Sequence, residues 1–217
     1  MKRPAKSWNM TFVPLRYLVL SMLFFFHHPV FPNNQILKLE EQLMGMADDT
    51  AKANVLLKLG EYYCSIDNDK ALDYLQEAFT ISTASKYKVG MGKSMLWQGR
   101  VYYYKDDYRL GIKYFDKAKT ILEKTDQWND ISFTFFGKGE IYKIRGDYIH
   151  ALEMYKEAIK YAEIAGNDTL LSSYYGSIGV VLLNRNDIEK ALGYFKKSIA
   201  MKEAIDDQKG ISNILTC

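Results

Sequence analysis

Proline is nearly missing from this chain. All four prolines, Pro4, Pro14, Pro29 and Pro32, fall within the first 32 of its 217 residues. Proline breaks the helical ladder, so every later position is free to join a long helix. Cysteine is equally sparse. Cys64 and Cys217 stand 153 positions apart, neither with a CxxC neighbour, which excludes a disulfide framework and a thiolate metal motif. The three histidines, His27, His28 and His150, are scattered and form no ligand set. There is no GxSxG, HExxH or GxxxxGK[ST], and no GxGxxG after a strand. The Asp pairs read first as turn and cap residues. The expectation is a protein that is not an enzyme, with no cofactor and no metal.

A net charge of one sign is also lacking. The formal charge is +3, but residues 1–33 hold Lys2, Arg3, Lys6 and Arg16 and no acid. The remainder has 25 basic and 26 acidic residues and carries −1. Nucleic acid is therefore not an expected partner. The basic stretch is followed by an apolar run, residues 17–26, that suits a signal-peptide core and is short for a bilayer span. No small-x-small cleavage site follows, and no cysteine that could carry a lipid. Residues 1–33 are read as a signal peptide or N-terminal membrane anchor. The expected location is periplasmic by export, or membrane-anchored through residues 17–26 and facing the periplasm.

What the chain has in quantity is repetition. Gly60, Gly99, Gly139 and Gly179 are spaced by 39, 40 and 40 positions. Eleven or twelve residues after each comes Ala71, Gly111, Ala151 or Ala191, and seven further on Ala78, Ala118, Ala158 or Ser198. Between these lie Leu75, Phe115, Tyr155 and Phe195. Both halves of each unit have helical periodicity: Phe135, Gly139 and Tyr142 form one stripe, Ala151, Tyr155, Ala158 and Ala162 another. Turn formers, such as Asp67-Asn68-Asp69, Asp106-Asp107, Gly146-Asp147 and Asn186-Asp187, separate the halves. A glycine inside a helix costs about 1 kcal/mol relative to alanine, so four in one phase point to close helix packing that offsets the cost. The fold class is all-α, an array of antiparallel helix–turn–helix units.

This pattern of Gly, Tyr, Ala, aromatic and Ala resembles the tetratricopeptide repeat, in a long form of about forty residues like that of bacterial sensory and regulatory proteins. The third unit matches best, through Phe135, Gly139, Tyr142, Ala151, Tyr155 and Ala158. HEAT-like and armadillo repeats share the period but not this phase. The resemblance covers residues 51–210 as four repeats, 51–90, 91–130, 131–170 and 171–210. Residues 34–50 are read as an N-terminal capping helix and 211–217 as the start of a truncated fifth repeat. The resemblance implies an α-solenoid with a right-handed superhelical path, whose first helices line a concave groove that binds a protein or peptide. Carried over position by position, the groove residues are Asn54, Leu57, Glu61 and Cys64; Lys93, Leu96, Arg100, Tyr103 and Tyr104; Phe133, Phe136, Glu140 and Lys143; and Ser173, Gly176, Val180, Leu183 and Asn184. Aromatic residues with charges of both signs suit a peptide or helix carrying apolar anchors.

The fourth unit's second helix carries Ile188, Leu192, Phe195 and Ile199 with little sequence left to cover them. Solenoids need a polar terminal face. Two expectations follow: a chain cut short, or self-association through this uncapped helix. The alternative function is therefore the N-terminal sensory region of a truncated two-component sensor kinase or transcriptional regulator.

Overall fold

The computed structural model describes residues 33–205 and residue 214. The leader and the start of a fifth repeat lie outside the described residues, apart from residue 214. The described residues hold nine helices: α1 (Asn33–Leu43), α2 (Thr50–Tyr63), α3 (Asn68–Ala84), α4 (Lys88–Tyr104), α5 (Tyr108–Leu122), α6 (Trp128–Ile144), α7 (Tyr148–Ile164), α8 (Asp168–Asn184) and α9 (Ile188–Ala204). Among the described residues there is no strand, so the all-α solenoid is what the chain forms. None of these helices is long and apolar enough to cross a membrane.

Each hairpin is punctuated by the residues that the sequence places there. Asp106, Gly146 and Asn186 adopt left-handed backbone angles, with φ of 56°, 75° and 62°. The next N–H then reaches back to close the helix: Asp107 to the Tyr102 carbonyl, Asp147 to Tyr142 and Asp187 to Leu182, each at 2.9 Å. The same Asp107 and Asp147 open the following helix, their carboxylates accepting from the Leu110 and His150 N–H groups at 3.0 and 3.3 Å. Lys86 and Gly166 repeat the left-handed stop between units. The connections between units precede α4, α6 and α8. The repeat boundaries expected at 90, 130 and 170 consequently fall inside those helices. A period counted from glycines sets the repeat length but not where a unit begins.

The glycine rule holds physically. A Cβ on Gly60 would stand 2.5 Å from the Leu75 side chain, one on Gly139 2.5 Å from the Tyr155 ring and one on Gly179 2.5 Å from the Phe195 ring. The bulky residue of each second helix thus occupies the space that a first-helix side chain would need. Phe115 does this twice, since its ring lies against Gly99 of its own unit and Gly137 of the next. Ala71, Ala78, Ala118, Ala151 and Ala158 are fully buried at the helix crossings.

The units stack unevenly. First helices touch along the stack, α2 against α4 and α4 against α6. Second helices of successive units meet at most marginally. A stack crowded on one side and splayed on the other is curved, with first helices inside and second helices outside.

Candidate functional site

The inner face is most developed where α4 and α6 lie side by side. Arg100, one turn below Trp97 on α4, folds its guanidinium over three rings. Its carbon lies 5.6 Å from the centre of Trp97 and 5.7 Å from those of Tyr104 and Phe133. One amino group donates to the Tyr104 hydroxyl at 3.2 Å. Among the described residues no carboxylate pairs with it, although a guanidinium has five donors. Beside it a slot of about 20 Å³ opens between Leu96, Trp97, Tyr103, Phe133, Phe136 and Glu140, with Phe115 and Gly137 also on its wall. That is room for about one water. Gly137 stands where α4 has Trp97, and the Phe115 ring takes the space beside it.

The charges around Arg100 are half-desolvated. Burial pushes Glu61 above the usual carboxylate range, with Arg100 and Lys93 pulling against it. Burial also raises Asp130, against the Lys93 ammonium 3.4 Å away. The Cys64 thiol is pushed up to about 11, chiefly by burial, and is therefore unreactive rather than a thiolate. Burial opposes the Arg100 charge, yet the oxygen of Tyr104 and the sulfur of Cys64 raise its pKa on balance. On the α6 side Glu140 is 3% exposed. Both of its oxygens accept from Lys143, at 2.8 and 2.7 Å, and one also accepts from the Tyr155 hydroxyl. Burial first, and Glu140 second, lift the Tyr155 and Tyr103 hydroxyls well above their ordinary range.

The structure brings Leu96, Arg100, Tyr103, Phe133, Phe136 and Glu140 together around the slot. Glu61 and Tyr104 adjoin it through Arg100, Lys93 through Glu61, and Lys143 through Glu140. Five residues expected to project into the groove do not. Leu57, Leu96, Phe136 and Glu140 are 5%, 2%, 3% and 3% exposed. Phe136 is covered from both units, stacking on Tyr174 of α8 at 4.7 Å and tilting against Tyr155 of its own unit at 5.6 Å, and Glu140 is held by Tyr155 and Lys143 of its own unit. Cys64 is likewise buried. Asn54 and Asn184 are exposed and Val180 half-buried, outside the cluster. Asn54 accepts from the Tyr87 hydroxyl at 3.1 Å. Trp97, Gly137 and Asp130 belong to the site without having been singled out by the repeat pattern. Trp97 and Gly137 share a phase whose occupants vary along the chain as Lys58, Trp97, Gly137 and Ser177, and that variation was the available signal.

Residues 91–164, which contain α5, α6 and α7 and nearly all of α4, match the tetratricopeptide repeat family model. No curated protein matches the chain in sequence. Solved structures share its fold. Aspartyl phosphate phosphatase F from Bacillus subtilis is 22% identical with a TM-score of 0.75 over 82% of this chain and 47% of that one. A Rap protein complexed with competence and sporulation factor is 18% identical, TM-score 0.74, over 83% and 51%. A signal transduction ATPase with a tetratricopeptide repeat sensor from Pyrococcus horikoshii is 21% identical, TM-score 0.69, over 82% and 28%. The chain spans about half the length of the first two and less of the third. Residues 91–164 thus match the tetratricopeptide repeat in sequence, and the array shares the fold of these solved structures.

Proposed function

We propose that this tetratricopeptide-repeat chain binds a protein or peptide on its inner face, with Arg100 and its ring of aromatics as the anchor point, and that it catalyses no reaction. The observation that carries the reading is the guanidinium itself. It is ordered by Trp97, Tyr104 and Phe133, donates to the Tyr104 hydroxyl and the Cys64 sulfur, and has no carboxylate ion pair among the described residues. Arginine and aromatic side chains at the centre of a contact surface supply most of the energy of typical protein interfaces. The likeness to a Rap protein complexed with competence and sporulation factor supports the same use of the fold. Arg100→Ala and Phe133→Ala each shorten a half-buried side chain of this face. Both should weaken partner capture about 30-fold, the equivalent of ~2 kcal/mol at a central anchor. Quantitative pull-down against the parent chain measures this, and equal recovery by the variants would sink the proposal. Phe136 is unsuitable for that test because it belongs to the core.

A second reading, the sensory part of a longer signalling protein, is favoured by a match that covers 82% of this chain but 28% of the Pyrococcus horikoshii ATPase. A reading frame running on past codon 217 into an output domain would support it, and an immediate stop would count against it. We further propose that the leader exports the chain or anchors it facing the periplasm. The support is the order of residues 2–26, basic and then apolar. A periplasm-active phosphatase fused after residue 205 should be active, and a silent fusion would refute export.

A further inference from the structure

The outer face carries a second feature that the repeat pattern does not require. Between α3 and α5 lies an open furrow of about 710 Å³, within the size of clefts that hold ligands, about 300–1,000 Å³. Its floor is apolar: Phe79 from α3, Met95 from α4, and Ile112 and Ile121 from α5. Its rim on α5 is basic, with Arg109, Lys113 and Lys117 at successive i, i+4 positions, all exposed. Among the described residues none of the three pairs with a carboxylate. The one acid on the rim, Asp116, is already held by Lys138 at 2.7 Å.

The next seam is filled differently. One unit further on, the positions of Met95 and Ile121 are taken by Phe135 and Tyr161, whose rings stack at 5.5 Å and 11°. Trp128 stacks on Tyr161 from the other side at 6.2 Å. Lys119 replaces Phe79 and lies over the Phe135 ring at 5.7 Å. The rim there carries Glu153 and Glu157 where α5 has Lys113 and Lys117. Splaying of the second helices separates both pairs, but aromatic side chains plug one gap and leave the other open with the opposite charge.

We propose that the α3–α5 furrow is a docking site for an acidic amphipathic helix of a partner protein. Two neighbouring helices with a gap between them accept a third by ordinary ridge-and-groove packing. The rim from Arg109 to Thr120 is about 16 Å long at 1.5 Å per residue, which is three turns of such a helix. Apolar side chains of the guest would cover Phe79, Ile112 and Ile121, and its acids would meet the three rim cations, of which Lys117 lies over the Tyr114 ring at 5.0 Å. Asp73 and Glu77 stand on α3 and Glu153 and Glu157 on α7, so an extended polyanion would meet acids on both sides.

The test uses the full 217-residue chain and a fluorescein-labelled sixteen-residue peptide. The peptide has leucine at i, i+3, i+4 and i+7 of each repeat and glutamate elsewhere; its control has lysine for glutamate. Anisotropy should show saturable binding of the glutamate peptide only, weakened by salt. Lys113→Glu/Lys117→Glu should weaken it at least tenfold. So should Ile121→Tyr, which installs the plug of the neighbouring seam, with circular dichroism confirming the fold. Arg100→Ala should bind the peptide like the parent, so failure here is separable from failure of the inner-face site. The proposal is overturned if the glutamate peptide does not bind, if both peptides bind alike, or if Ile121→Tyr binds like the parent. It is equally overturned if the chain ignores the peptide and co-sediments with phosphatidylglycerol vesicles through the same lysines.

Discussion

At the scale of single residues, stability here depends on where side chains are missing. Phe115 lies between Gly99 and Gly137 with no slack on either side. Gly137→Val would drive a side chain into that ring, and overpacking of this kind costs about 1–3 kcal/mol. Gly193 sits in the middle of α9 with nothing within 4 Å of a Cβ, so Gly193→Ala should raise stability by about 0.5–1 kcal/mol through helix propensity alone. Urea unfolding followed at 222 nm reports both, and shifts in the same direction would contradict the packing described. Both glycines were visible in the sequence, but their opposite consequences were not, because the partner of Gly137 is 22 positions away in another unit. Phe136 and Glu140 were misplaced for a related reason. A first helix of the stack is covered by its own second helix and by both neighbouring units. α4 and α6 therefore bury residues on most of their circumference, and periodicity does not separate the inner surface from the seams.

At the scale of elements, the helices and their stops were legible because caps are local chemistry. Asp107 and Asp147 close one helix and open the next within six residues of chain. The docking of α1 is different, since it rests on one carboxylate and three donors far along the chain. Glu40 accepts from Lys70 at 2.7 Å, Tyr63 at 2.9 Å and Tyr74 at 3.1 Å. The Lys70 hydrogen bond is the largest cause that holds Glu40 below its ordinary value of 4.5, with burial opposing it. A carboxyl depressed in the folded state binds fewer protons there than in the released state. Its contribution is therefore complete above the ordinary value and disappears as pH falls through the depressed one. The amide resonances of α1 should move to released positions as pH drops below about 4.5, and in Glu40→Gln they should sit there at neutral pH. An α1 that stays docked in that variant would show that its apolar face, with Ile36 4% exposed, suffices.

At the scale of the whole molecule, each unit leans on its neighbours and on little else. Repeats three and four are joined by the Phe136–Tyr174 stack and by the Ser132 hydroxyl, which bridges the Ala158 carbonyl and the Tyr174 hydroxyl at 2.9 Å each. Phe136→Ala should cost about 3–5 kcal/mol. The loss should be local: hydrogen exchange should quicken across α6 to α9 and leave α2 and α3 near parent rates, whereas uniform loss would mean one cooperative globule. The amino-acid sequence alone determined the helical hairpin, its forty-residue period and the phases at which small and bulky residues interlock. Those depend on contacts within one unit, which spacing records. Only the tertiary structure decided which half-apolar positions sank into seams, gathered aromatic rings around Arg100 on the inner face, and opened a basic furrow on the outer one. Those outcomes depend on which residue of one unit meets which residue of the next across a curved stack, and periodicity along a single chain does not encode that pairing.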